Sequence, residues 1–131
     1  MTHKPQYLLF LIHFSLPLLL VACAGGGDAS AQTVELYYQA LVEKDEDRLI
    51  NLSCADWESM ALLEFDSFLS VETTLENAAC QTVSQENGTA RVTCQGAIAA
   101  SYDGEIREFP LTGQTYLVTQ EAGEWRVCGV E

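Results

Sequence analysis

The 131-residue sequence has two histidines, His3 and His13, and none after them. Everything beyond position 13 therefore lacks the commonest general base, the commonest metal ligand and any Ser-His or Cys-His nucleophile pair. Basic residues are scarce as well, six against nineteen acidic ones. Beyond Lys4, five basic residues face all nineteen acids, a formal charge of −14. Such a surface repels nucleic acid and anionic head groups, and no nucleic-acid partner is expected; its first use is solubility. No apolar run is long enough to cross a bilayer: residues 7–21 make the longest, fifteen residues interrupted by His13, Ser15 and Pro17, where a spanning helix needs about 20. The five cysteines contain no C-x-x-C pair, which argues against a zinc site. Neither a metal nor another cofactor is expected. What is abundant is apolar residues, 48% of the chain, enough for a folded core.

The N-terminal run has the length of a signal-peptide apolar region, preceded by one firm positive charge at Lys4. It ends in Leu20-Val21-Ala22-Cys23. This resembles the lipobox of bacterial lipoproteins: aliphatic, small or aliphatic, and small residues ahead of the cysteine that takes the lipid. The resemblance implies cleavage between Ala22 and Cys23 and a thioether-linked diacylglycerol on Cys23. Each buried methylene of such an anchor contributes roughly 0.8 kcal/mol. Ala22-Cys23-Ala24 and Ala29-Ser30-Ala31 also fit the small-x-small pattern of ordinary secretion. Residues 24–32 are small and polar and read as a flexible tether. The expected division is a signal peptide over 1–22, a lipidated cysteine and linker over 23–32, and one domain over 33–131, lipid-anchored at a bacterial membrane outside the cytoplasm.

Within the domain, Thr33 is a fair N-cap, and Val34, Tyr37, Tyr38, Leu41 and Val42 recur on one helical face. Asp45 can cap a short second helix and Asp56 a third, whose apolar residues include Trp57, Met60, Ala61, Phe65 and Phe68. From about Val71 the pattern turns to strands. Asn87-Gly88 is a hairpin signal, Asp103-Gly104 marks a second turn, and the next strand runs from Ile106 to Thr119 with a bend near Pro110. Trp125 to Val130 is the last strand. Helices followed by an antiparallel meander predict an α+β domain with a four-stranded sheet.

With Cys23 committed to lipid, Cys54, Cys80, Cys94 and Cys128 remain, an even number that suits disulfides in an oxidising compartment. If residues 86–88 form a three-residue loop, residues whose numbers sum to 174 face each other, and Cys80 meets Cys94. A strict two-residue turn puts that pair off register by one. Cys54 and Cys128 then tie the end of the helical part to the last strand.

The order of elements resembles the nuclear transport factor 2-like superfamily, through Val34-Glu-Leu-Tyr-Tyr-Gln-Ala-Leu-Val-Glu-Lys-Asp-Glu-Asp-Arg-Leu and the closing Gly123-Glu-Trp-Arg-Val-Cys-Gly. It is similar in particular to small bacterial lipoproteins of unknown function with that cystatin-like α+β fold. The resemblance implies helices wrapped on a curved, cone-like sheet with a pocket between them. Fold alone does not choose among the enzymes, binders and assembly modules it hosts.

No catalytic residue is expected. Asp45 and Asp47 lack the glycine and distal glutamate of a calcium loop and read as a helix cap. Glu58, Glu64 and Asp66 lie among the apolar residues of the third helix; a solvent-facing side is the expectation, a pocket acid the alternative. Phe65, Phe68 and Trp125 read as core or packing residues. The function expected is a non-catalytic envelope module binding a small apolar ligand or another envelope protein; the alternative is a small isomerase- or hydratase-like enzyme using a buried carboxylate.

Overall fold

The computed structural model describes residues 28–131. The expected cleavage site at Ala22 and Cys23, and residues 24–27 of the tether, lie outside the described residues. No helix among the described residues is long and apolar enough to cross a membrane.

Helix α1 spans Ala29–Glu43, four residues earlier than the Thr33 start that the sequence suggests. Residues 29–32, read above as tether, are its first turn. The reason is Asp28. It sits at the N-cap with its side chain accepting from the Ala31 N–H, and aspartate caps better than threonine. The same carboxylate accepts from the Thr82 backbone N–H at 2.7 Å and the Thr82 hydroxyl at 2.6 Å, so tertiary contacts fix the start of the helix. Lys44 ends α1 in the left-handed conformation, φ 62°. Helix α2, Glu46–Asn51, is capped by Asp45 as expected, the Arg48 N–H donating to its Oδ1 at 3.0 Å. Helix α3, Glu58–Phe68, departs from expectation: Trp57 and not Asp56 holds the N-cap position, with no side-chain cap. The Cys54 carbonyl accepts from the Trp57 and Glu58 N–H groups instead. Cys54 is itself held on the sheet, so the turn geometry is set from there.

The sheet has five strands: β1 Glu72–Glu86, β2 Thr89–Tyr102, β3 Glu105–Pro110, β4 Thr115–Glu121 and β5 Glu124–Val130. The expected four become five because residues 106–119 are two strands. Both lie on the same edge of β2, β4 against its first half (Thr93↔Thr115) and β3 against its second (Ala97↔Pro110). The turn between them is anchored by the Leu111 N–H donating to the Gly96 carbonyl at 2.9 Å. The remaining order is β1-β2-β4-β5.

The β1–β2 hairpin closes through a two-residue turn, Glu86 pairing with Thr89, with Asn87 and Gly88 at φ 50° and 78°. That is the primed turn Asn-Gly favours, not the three-residue loop. Cys80 nevertheless faces Cys94, because a bulge at Val83 between Thr82 and Ser84 shifts the register by one. A second shift, between Glu76 and Ala79, lies opposite Gly96. Gly96 has φ 98°, and a Cβ there would stand 2.5 Å from the Glu76 carbonyl oxygen. Bulges bend and twist a strand, and these two curve the long hairpin around α1.

Two disulfides join Cys80 to Cys94 and Cys54 to Cys128. The second sits beside a parallel bridge from Ser53 to Val127, where Cys54 N–H donates to the Val127 carbonyl and Val127 N–H to the Leu52 carbonyl, each at 2.8 Å. The core lies between α1 and the concave face: Val34, Tyr37, Leu41, Leu49, Val92, Tyr116, Val118 and Val127 are all buried.

Candidate functional site

Where the second half of α1, the last two turns of α3 and the β3–β4 corner meet, side chains do not fill the space. A cavity of about 280 Å³ remains. Tyr38 and Leu41 line it from α1, Glu64, Ser67 and Phe68 from α3, Ile98 from β2, Phe109 and Pro110 from β3, and Leu111, Gln114 and Tyr116 from the corner and β4. Pockets for small molecules begin at about 300 Å³, so this one suits a compact ligand. Its wall is mainly apolar and aromatic, with Phe68 and Phe109 packed edge to face at 5.4 Å between ring centres.

Two hydrogen-bonded groups interrupt the apolar wall. In the first, the Tyr37 hydroxyl donates to Glu64 Oε2 at 2.6 Å, while Trp57 Nε1 donates to the Tyr37 oxygen at 3.2 Å. In the second, the Tyr38 hydroxyl donates to the Tyr116 hydroxyl at 2.7 Å, and that hydroxyl donates to Gln114 Oε1 at 3.3 Å. Tyr37, Tyr38 and Tyr116 are buried and contact one another edge-on or tilted. Burial holds their hydroxyls protonated, Tyr38 pushed up to about 12 and the other two further, with the Glu64 charge adding to each.

Glu64 is the acid of the cavity. It is half-buried, and desolvation raises its pKa above the ordinary value of 4.5, partly offset by the Tyr37 hydrogen bond. Among the described residues Tyr37 alone donates to it, through one oxygen, which leaves Oε1 for a ligand. This corrects the solvent-facing expectation. A signal for it existed: Glu64 falls on the helical face of Ala61, Phe65 and Phe68, whereas Asp66 is on the exposed side and Glu58 lies in the first turn, outside the cavity lining. Phe65 is core, but Phe68 and Tyr116 are cavity wall as much as core. Trp125 packs against the core as expected. Cys54, Cys128 and Glu121 approach within 4.8 Å of one another, but the two sulfurs are bonded to each other and offer no thiolate.

No protein-family model matches this chain, and no curated protein matches it. Solved structures do. A ketosteroid isomerase-like protein from Shewanella frigidimarina NCIMB 400 superposes with a TM-score of 0.55 at 14% identity, over 78% of this chain and 92% of that one. An uncharacterised protein with a cystatin-like fold from Caulobacter vibrioides gives 0.52 at 15% identity, over 79% and 85%. A SEC-C motif containing protein from Rhodopseudomonas palustris gives 0.53 at 12% identity, over 79% of each chain. At these identities the likeness is one of fold. Three helices packed on a curved, open antiparallel sheet, with a cavity between them, give this chain a nuclear transport factor 2-like, cystatin-like α+β fold.

Proposed function

We propose that this protein is an extracytoplasmic module, tethered to a bacterial membrane through lipid on Cys23, that binds a small and largely apolar molecule in the cavity between α1, α3 and the β3–β4 corner. The observation that carries the binding reading is the cavity itself: aromatic and aliphatic walls around one carboxylate oxygen to which none of the described residues donates. An apolar recess with a few convergent polar groups is the usual form of a small-molecule site. The two disulfides favour an oxidising compartment, and Leu20-Val21-Ala22-Cys23 supports the anchor.

Two measurements test the two halves. Native mass spectrometry of protein isolated from its own host should find a bound small molecule, and a ligand-free cavity in every preparation counts against the binding half. Cys23→Ser should move the protein from the membrane fraction to the soluble or precursor fraction; unchanged fractionation and unchanged mass would overturn the anchor.

Glu64 favours a second reading, an isomerase- or hydratase-like enzyme. A carboxylate in an apolar wall, with its pKa raised by burial, has the setting of a general base. That reading requires turnover by the isolated protein that Glu64→Gln abolishes; turnover that survives the substitution removes Glu64 as the base.

A further inference from the structure

The electrical character of the cavity narrows what it holds. All five basic residues of the described chain are engaged elsewhere. The Lys44 ammonium donates to the Thr73 hydroxyl. Arg48, Arg91 and Arg126 pair with Glu43, Glu131 and Glu124. The Arg107 guanidinium lies over the Tyr102 ring, 5.3 Å from its centre. None lines the cavity. An anionic ligand would enter an apolar space to face Glu64 with no counter-charge among the described residues, a prohibitive desolvation. A ligand without a hydrogen-bond donor would leave Glu64 Oε1 desolvated and unpaired, which is also unfavourable.

The rings change what a donor is worth. Tyr38, Phe68, Phe109 and Tyr116 surround the same space as the carboxylate. Aromatic faces attract a desolvated cation, and a carboxylate in low dielectric attracts it further. Outside the cavity the chain carries a large excess of negative charge, which raises the local concentration of cations at its surface.

We propose that the cavity selects a compact organic cation: an ammonium group, carried on an aromatic or short aliphatic body, donating to Glu64 Oε1 with Tyr38, Phe68, Phe109 and Tyr116 around it. The proposal rests on the binding reading above. It assigns the polar end of the ligand to the α3 side of the cavity and the apolar body to Leu41, Ile98 and Leu111.

Three probes of nearly equal shape separate the inference from the reading beneath it: phenethylamine, phenethyl alcohol and phenylacetate, titrated calorimetrically into the mature protein purified from cells. Work at an ionic strength of roughly 0.5 M, where the Debye length is below about 5 Å, suppresses loose attraction to the acidic surface. The amine should bind one-to-one and about tenfold or more tighter than the alcohol, with the carboxylate weakest or silent. Glu64→Gln should bring the amine to the level of the alcohol and leave the alcohol nearly unchanged. Phe109→Leu, at a half-exposed ring, should weaken the amine more than the alcohol. Equal binding of all three, or preference for the carboxylate, overturns the cation inference and leaves the cavity reading standing. One-to-one binding by none of them removes both. If Glu64→Gln does not fold, the ranking of the three probes by the native protein, with the Phe109 variant, still decides.

Discussion

Glu64 and Asp28 are both carboxylates in contact with hydroxyls, and the fold pushes them in opposite directions. Glu64 is raised by burial, so the folded state holds its proton more tightly than the unfolded chain does. Its contribution is most favourable below the ordinary value of 4.5 and is lost as pH rises through the higher folded value. Glu64→Gln, which keeps the shape and can still accept from Tyr37, should therefore raise the melting temperature near pH 7, and the gain should vanish near pH 4; calorimetry at the two pH values checks this. For Asp28, burial pushes upward, but hydrogen bonds from Thr82, Ala31 and Ser30 outweigh it and hold the carboxyl below 3.8. Its stabilisation is present above that value and is lost as pH falls through the folded one. Asp28→Ala should lower stability by about 1–2 kcal/mol in urea denaturation near neutral pH, the usual worth of an N-cap. The difference should shrink in acid. Neither role was fully legible. Glu64 sat on an apolar helical face that could be read; Asp28 stood in a run of glycine, alanine and serine whose composition says tether, and the Thr82 contacts that hold its capping carboxylate come from 54 residues away.

Among the elements, the β1–β2 hairpin best shows where sequence reasoning stops. Asn87-Gly88 located the turn, and Cys80 and Cys94 do pair, but through a two-residue turn and a bulge that cancel each other's offset. Val83 carries no mark of that bulge: it is an ordinary β-branched strand residue, half exposed. The other bulge is marked by Gly96, where any side chain would collide with the Glu76 and Asn77 carbonyls. Gly96→Ala should cost about 3 kcal/mol or more, combining a positive φ with a backbone clash, and should lower the denaturation midpoint accordingly. Helices α1 and α2 were recoverable from their apolar periodicity and the Asp45 cap. The split of residues 106–119 into β3 and β4 was visible only as a bend at Pro110, since two strands sharing one edge of β2 present the same alternation as one. Replacing Cys80 and Cys94 together by serine should remove about 3 kcal/mol, from the entropy of a 14-residue loop; equilibrium unfolding with and without reductant measures it.

For the molecule as a whole, the α+β class followed from element order, and the curved sheet with a pocket beneath the helices from the family resemblance; which residues line that pocket did not, because it is a deficit of side-chain volume spread over α1, α3, β2 and the β3–β4 corner. The Asp28 contacts with Thr82 have a consequence at this scale. They place the start of α1 beside the hairpin end of β1, whereas Lys44, at the other end of α1, meets Thr73. Ile98, in the cavity wall, pairs with Leu75, seven residues along β1 from Thr82 and so roughly 23 Å away at strand spacing. Residues 24–27 alone separate Cys23 from Asp28, a leash of at most about 18 Å. Were Cys23 to carry the proposed lipid, the hairpin end of the domain would lie nearest the bilayer and the proposed binding cavity farthest from it. On that reading a ligand would reach the cavity from the aqueous side.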